Sequence, residues 1–196
     1  MKERFIKSTV NFLKRYNNYS NEEIKKLQYG LEGIYLTITK TLIILFLSLL
    51  LGILPEVIIV LILFNIIRYF LFGFHAEKSF ECLILSIFNF ILIPFVLLQI
   101  NTSLFVKLTI CVLSLLCFLV FAPADTPKRP LKNKKKRIIR KVFTILIGII
   151  YTLFVIVFKN HYMADLIVSS LIISVIVVNP LTYMIFGQTY NNYKRI

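Results

Sequence analysis

The stretch Arg68-Tyr-Phe-Leu-Phe-Gly73-Phe-His75-Ala-Glu-Lys-Ser-Phe-Glu-Cys82 lies between two long apolar runs. It contains one of the two histidines and one of the three cysteines of the chain. Charged side chains cost free energy when they enter a bilayer, so such a cluster between apolar segments indicates a function. Cys and His are the minimal pair for nucleophilic catalysis, because a thiolate attacks and an imidazole takes its proton. The alternative is a polar loop between two membrane helices that holds both residues without chemistry.

The spacing of this pair predicts a break in the helix. His75 and Cys82 are seven residues apart, and on one continuous helix they would share a face but lie roughly 10 Å apart along the axis. A hydrogen-bonded catalytic pair needs about 3 Å. Gly73 and the polar residues 77–79 permit the turn that would bring the two side chains together.

Composition predicts an all-α, polytopic membrane protein. The chain is 58% hydrophobic with a mean hydropathy of +0.83, far above a soluble domain. Its 196 residues are expected to form a single integral membrane domain over 1–196, with about six transmembrane helices within 34–187. The predicted spans lie near 34–54, 56–74, 82–100, 103–122, 142–158 and 163–187.

The segment before the first span predicts a cytoplasmic, amphipathic helical region over 1–33. Residues 2–16 alternate apolar and basic side chains at helical spacing. Such a helix lies on a membrane surface or packs on the protein's own body, and both readings stay open. Ser20 and Glu23 have the spacing of a capping box, which predicts that a second helix starts there.

The net charge of +14 is interpreted through membrane topology. Seven Lys or Arg precede residue 27, and nine lie in the predicted basic loop 123–141. Both groups fall on the same side of the membrane if there are six spans. The positive-inside rule then places both termini and the 74–82 loop on the cytoplasmic side of the cell membrane, where a thiol stays reduced. Residues 132–137 of the basic loop are expected to meet anionic lipid head groups, or alternatively an acidic partner peptide. No nucleic-acid-binding motif accompanies the charge.

The fourth connection, 123–130, contains three prolines and predicts a stiff, non-helical loop. Asp125 within it could pair with Arg68 or orient His75 as the third member of a triad. Alternatively, it caps a turn or pairs with a neighbouring base, which is the ordinary use of Asp in such loops.

Arg68 also has two readings. Its side chain snorkels to the interface from the end of the second span, or it donates to a substrate carboxylate or an oxyanion. Asp165 and His161 are expected near the opposite face as interfacial residues, where they could pair with each other. The cysteines 111 and 117 fall inside an apolar run, and no zinc-ligand spacing is present.

These residues resemble the accessory gene regulator B (AgrB) family of membrane endopeptidases that process quorum-sensing propeptides. The family pattern has an Arg, a His seven residues on with Gly two before it, and a Cys seven further, which here are Arg68, Gly73, His75 and Cys82. The stretches 29–32 and 123–130 are similar to two other family signatures, and the resemblance covers nearly the whole chain. Many members have a second Gly between the Arg and the His, where this chain has Phe72.

The resemblance implies a cysteine endopeptidase that needs no cofactor or metal. Cys82 would be the nucleophile and His75 the general base and then acid, with Arg68, Gly73 and Asp125 in supporting or substrate-binding roles. The implied partner is an AgrD-like autoinducer propeptide with an acidic C-terminal tail, and a second copy of the chain is a candidate partner. Cleavage through an acyl-thioester would permit cyclisation to a lactone or thiolactone. Which acid orients His75 stays open among Asp125 and the glutamates 77 and 81.

Two other functions fit some of the same residues. A small non-enzymatic transporter or exporter would use charges within the membrane, but the predicted span centres are nearly free of charge and no internal repeat is present. An enzyme acting on lipid head groups would use Asp125, but such sites need several acids to hold a metal.

Overall fold

The computed structural model describes residues 2–14, 19–74, 79–100, 102–126 and 130–194. Nine α-helices form this described part, and it contains no β-strand. A π-helical turn, Phe88–Leu92, joins α4 to α5, and a short 3₁₀ turn, Asn192–Lys194, follows α9. The helices are α1 (Lys2–Lys14), α2 (Asn21–Leu50), α3 (Leu54–Leu71), α4 (Ser79–Ile87), α5 (Ile93–Gln99), α6 (Leu104–Phe121), α7 (Lys134–Val157), α8 (Tyr162–Val178) and α9 (Pro180–Ile185).

Length and composition make this an all-α polytopic membrane protein, as the sequence predicts. Five helical segments in the described residues are long and apolar enough to cross a membrane. They are Asn21–Leu50, Leu54–Leu71, Phe80–Gln99, Leu104–Phe121 and Lys134–Val157. The sixth apolar helix, α8, has 17 residues and a length of about 25 Å, somewhat less than the bilayer core.

The first compact unit, 1–46, contains α1 and most of α2. The predicted capping box is present: the Ser20 amide donates to Glu23 Oε2 at 2.8 Å, and the Glu23 amide donates to Ser20 Oγ at 3.3 Å. These bonds satisfy two amide groups that the start of a helix leaves without partners. The second helix therefore begins where the sequence predicts.

Helix α1 packs against the beginning of α2 within this unit. Lys2 Nζ lies 2.6 Å from Glu32 Oε1, and the rings of Phe5 and Tyr35 are 5.5 Å apart. For part of the surface of α1, these contacts agree with the reading in which the amphipathic helix packs on the protein's own body. Phe5 and Phe12 remain 43% and 57% exposed, so α1 also keeps an apolar surface of its own.

The second compact unit, 47–196, is built around α8. Eleven of the 17 residues of α8 are buried, and this helix contacts α3, α5, α6 and α7. A helix surrounded in this way needs apolar or small side chains on all faces. Its three serines donate to carbonyls of the same helix; they are Ser169, Ser170 and Ser174. The C-terminal end of α8 therefore has a fixed position in the bundle.

Two of the predicted membrane segments differ from the structure. Helix α7 begins at Lys134, within the predicted loop 123–141, because Asn133 caps it and Lys and Arg are good helix formers. The predicted span 163–187 is two helices, which separate at Asn179 and Pro180. Pro180 has no amide hydrogen and disfavours a helical conformation at Asn179, whose side chain instead accepts from the Leu181 amide at 2.9 Å and starts α9.

Candidate active site

Arg68 fixes the chain where it leaves α3. Its Nη2 donates to the Phe74 carbonyl at 2.9 Å, and its guanidinium carbon lies 5.3 Å from the centre of the Phe64 ring. Arg68 also lies within electrostatic range of the Cys82 thiol, 14 residues further along the chain, and of the Tyr183 hydroxyl.

Gly73 permits a close approach between this segment and the end of α8. Its φ is +109°, and a Cβ built there would lie 2.6 Å from Val177 Cγ1 and 2.8 Å from the Val177 carbonyl oxygen. The next amide, that of Phe74, donates to the same carbonyl at 2.8 Å. A glycine is required here both by its backbone conformation and by the space available.

The Pro-rich loop pairs with the segment that contains Gly73. The Gly73 amide donates to the Ala124 carbonyl at 2.7 Å, and the Ala124 amide donates to the Leu71 carbonyl at 3.1 Å. Phe72 and Ala124 form an isolated parallel bridge between them. Residues 71–74 are thus held between the loop and α8, which brings two of the predicted motifs together.

Cys82 lies in the first turn of α4 and is partly buried. The preceding helix, α3, ends at Leu71, and α4 begins at Ser79. The end of α3 before Gly73 is consistent with the predicted break, which falls between His75 and Cys82 and stays a prediction. His75, together with residues 76–78, lies outside the described residues, and its predicted pairing with Cys82 stays a prediction.

Asp125 is buried and holds the loop and the C-terminal segment together. Its Oδ1 accepts from the Asn192 amide at 2.9 Å, and its Oδ2 accepts from the Tyr193 amide at 2.8 Å and the Leu131 amide at 3.2 Å. These backbone contacts match the reading in which Asp125 orders a turn. Its proposed pairing with Arg68 is not among the ion pairs of the described residues, and orientation of His75 (outside the described residues) stays untested.

We expect Asp125→Asn to destabilise the protein by about 1.5–3 kcal/mol, because a buried carboxylate that accepts backbone amides makes charge-assisted hydrogen bonds. An amide group at this position keeps one acceptor oxygen but turns an NH₂ group towards at least one backbone N–H. The measurement is thermal unfolding of the detergent-purified protein, together with limited proteolysis of residues 187–194. Glu22→Gln, on the exposed start of α2, is the control and should change stability by less than about 0.5 kcal/mol. Equal stability of both variants would contradict the anchoring role.

Tyr183 is a residue of the site that sequence reasoning missed. It is fully buried, its hydroxyl donates to the Asp125 carbonyl at 3.2 Å, and its ring packs edge-on against Phe74 at 5.6 Å. Sequence reasoning assigned no role to Tyr183 because this residue lies inside a predicted apolar span. The Asn179-Pro180 pair was the available signal, since a helix that ends there leaves the following residues free to turn towards the loop.

Tyr190 supports the same region from the C-terminal segment. Its ring lies 5.2 Å from that of Tyr183, and its hydroxyl donates to the Phe121 carbonyl at 2.9 Å. Burial raises the pKa of Tyr190 to about 12, so the hydroxyl keeps its proton and remains a donor at physiological pH.

Arg140 connects the basic helix α7 to the end of α3. Its Nη1 donates to the Tyr69 carbonyl at 2.6 Å, and its guanidinium carbon lies 4.2 Å from the centre of the Phe72 ring. Sequence reasoning counted this arginine only among the nine bases of the loop 123–141 that indicate the topology. Its spacing from Tyr69, 71 residues along the chain, gives no local signal of this contact.

The charged pair near the opposite end of the bundle differs from the prediction. Asp165 does not pair with His161: it lies 2.9 Å from Lys107 Nζ and accepts from Thr102 Oγ1 at 3.0 Å. His161 instead caps α8, where its Nδ1 accepts from the Met163 amide. Lys107 is 5% exposed, so the ion pair is buried between α6 and α8.

A family model described as accessory gene regulator B matches residues 6–178. An AgrB-like protein of Listeria welshimeri is 32% identical over 170 residues, which cover 87% of this chain and 83% of that protein. The accessory gene regulator protein B of Staphylococcus saprophyticus is 27% identical over 177 residues, which cover 88% of this chain and 93% of that protein. No solved structure matches the chain.

Proposed function

Because the chain belongs to the accessory gene regulator B family, we propose that it is a membrane cysteine endopeptidase that removes the C-terminal tail of an autoinducer propeptide. Membership supports a role in the agr quorum-sensing system. The observation that carries the finer proposal is the arrangement around Arg68. This side chain lies near Cys82 and also fixes the carbonyl of Phe74, the residue directly before His75.

In the proposed mechanism, Cys82 is the nucleophile and His75 takes its proton. The positive charge of Arg68 and the N-terminal end of α4 both favour a negatively charged thiolate. The sulfur attacks the carbonyl carbon of the scissile peptide bond, and the bond to nitrogen breaks. His75 returns the proton to the departing amine, which leaves an acyl-thioester on Cys82.

The second step closes a ring without a further source of energy. An internal Cys or Ser of the substrate attacks the thioester carbonyl, its proton passes to His75, and the thiolate of Cys82 leaves. A thioester keeps much of the acyl-transfer potential, so the product is a thiolactone or lactone. An internal nucleophile that is already held close competes well against water because its effective concentration is very high.

The rigid segment 71–74 supports the proposal through positioning. Gly73 is hydrogen-bonded to the loop, and Phe74, the residue before His75, is hydrogen-bonded to α8 and to Arg68. Cys82, the other member of the proposed catalytic pair, is held by α4. A catalytic pair needs both side chains held within hydrogen-bond reach, and restraint of the chain on each side of the intervening segment provides part of that order.

The orientation of the protein is part of the proposal. Both termini and the site are placed on the cytoplasmic side by the positive-inside rule. Lys134 to Lys141 at the start of α7 and the C-terminal segment then lie at the same face as Cys82. An acidic substrate tail would meet a positive surface there.

A trapped acyl-enzyme tests this mechanism. The full-length protein in nanodiscs is incubated with an AgrD-like propeptide whose internal ring-forming Cys or Ser is replaced by Ala. We expect an adduct on the peptide that contains Cys82, detected by mass spectrometry after proteolysis and released by hydroxylamine. The propeptide with its own nucleophile should give the free tail and a cyclic product with little adduct.

Two outcomes would contradict the endopeptidase. An adduct on Cys111 or Cys117 would show that Cys82 is not the nucleophile. Absence of both adduct and cleavage, combined with movement of the intact peptide into proteoliposomes that contain the protein, would favour the transporter.

A further inference from the structure

A basic cavity lies beside the site, between the end of α6, the start of α7 and the C-terminal segment. Its volume is about 440 Å³. Four cationic side chains line it, and none of its lining residues is acidic: the cations are Lys134, Arg137, Lys141 and Lys194.

Among the described residues, none of these cations forms an ion pair with the nearby acid, Asp125. Both oxygens of Asp125 accept backbone amides, including that of Tyr193, which lines the cavity. The Arg137 guanidinium instead packs on the Tyr193 ring, with 3.6 Å between its carbon and the ring centre. Four cations of like charge around one cavity repel one another, so an anion in that cavity would be stabilised.

One side of the cavity continues onto the apolar outer surface of the bundle. Val120 and Ile138 line it, and they are 68% and 54% exposed. They belong to α6 and α7, two of the helices that are long and apolar enough to cross the membrane. The cavity thus offers positive charge to a head group and, directly beside it, apolar helix surface to an acyl chain.

We propose that this cavity binds the head group of an anionic phospholipid such as phosphatidylglycerol. A basic pocket between helices at a membrane surface is suited to a phosphate, and the adjoining apolar surface distinguishes a lipid from a free phosphate or an acidic peptide. Bound lipid neutralises the cations at the start of α7. It also joins α6, α7 and the C-terminal segment, which Asp125 connects to the loop of the site.

Native mass spectrometry of the full-length protein tests the site. The protein is released from nanodiscs that contain phosphatidylcholine alone or an equal mixture with phosphatidylglycerol, and the retained lipid is identified. We expect retention of phosphatidylglycerol over phosphatidylcholine. The double variant Lys134→Gln/Lys141→Gln should lower that retention by about tenfold, because each basic residue contributes to lipid attraction.

The neighbouring lysines provide a matched control. Lys135→Gln/Lys136→Gln removes the same charge from the same helix but outside the cavity lining, and retention should stay within about twofold of wild type. Lys134→Arg/Lys141→Arg keeps the charge and should retain the lipid, with an unchanged melting temperature in each variant.

The contrary results are equally specific. Equal loss in the two Gln pairs would mean diffuse surface attraction instead of a site. Equal retention of the two lipids, or displacement of phosphatidylglycerol by a soluble tetraglutamate peptide, would overturn the lipid assignment. None of these readouts uses peptide cleavage, so the proposal stands or falls separately from the endopeptidase.

Discussion

Cys82→Ala is expected to reduce cleavage of the propeptide by at least about 10³-fold, since no other group in the proposed mechanism can form the acyl-thioester. His75→Asn should have an effect of similar size, because the thiol then lacks its base and the leaving amine its acid. The measurement is the rate of tail release from a propeptide tagged at both ends, with the full-length enzyme in nanodiscs.

The chain offers a matched control for each change. Cys117→Ala removes a second thiol from α6, outside the site, and should keep the rate within about twofold of wild type. His161→Asn removes the other histidine and keeps an acceptor at the start of α8, where the His161 ring now caps the helix. Cleavage by the Cys82 variant at the wild-type rate would exclude a cysteine nucleophile. Equal losses in all four variants would indicate damaged folding instead of lost chemistry.

Gly73→Ala is expected to cost about 2–6 kcal/mol of stability. A non-glycine residue at a φ of +109° is strained by about 1–3 kcal/mol, and forcing a methyl group into a packed space adds about 1–3 kcal/mol. The loss should appear as a lower melting temperature of the purified protein and as faster hydrogen exchange at residues 71–74. Activity should fall in the same variant, because this segment positions the residue before His75.

Gly33→Ala is the control, since a Cβ at that position in α2 meets nothing within 4 Å. This change should be neutral or stabilising by up to about 1 kcal/mol, because Ala favours a helix over Gly. A second variant separates the two causes at Gly73. Val177→Ala removes the Cγ1 contact but keeps the carbonyl oxygen at 2.8 Å, so Gly73→Ala/Val177→Ala should remain unstable. Full rescue by Val177→Ala would mean that side-chain crowding alone explains the loss.

Local patterns predicted the helices that begin or end at strong signals. The capping box at Ser20 is present. The boundary predicted between the spans 34–54 and 56–74 lies a few residues earlier: α2 ends at Leu50, Gly52 has a φ of +72°, and α3 begins at Leu54. These features depend on residues within a few positions of one another. Hydropathy likewise predicted the class of fold, because the bilayer imposes a minimum apolar length on every span.

The pattern was least informative where an apolar run hides an interruption. Between 163 and 187 the hydropathy stays high, so a single span was predicted although Asn179 and Pro180 end α8. The consequence was that Tyr183 received no role. A local signal for the break existed, but the length of the apolar run outweighed it.

The composition of the site depended on contacts between distant parts of the chain. The motif spacing placed Arg68, Gly73 and Cys82 in one region, and the structure joins the segment of Arg68 and Gly73 to the loop. The motif spacing could not show that Asp125 accepts hydrogen bonds from amides 67 and 68 residues away, or that Arg140 donates to the Tyr69 carbonyl. Such pairings arise from the packing of helices. Sequence periodicity shows which face of a helix is apolar, but it does not show which other segment that face contacts.

The buried pair of Lys107 and Asp165 has a consequence for a cell that maintains a voltage across its membrane. One unpaired elementary charge that crosses the whole field changes in energy by about 2.3 kcal/mol per 100 mV. The two charges lie 2.9 Å apart and sum to zero, so the voltage exerts almost no net force on the helices that contain them. The pair therefore contributes no net charge through which the membrane potential could act on the packing of α6 and α8, whereas loss of Lys107 alone would leave the Asp165 carboxyl buried without its partner.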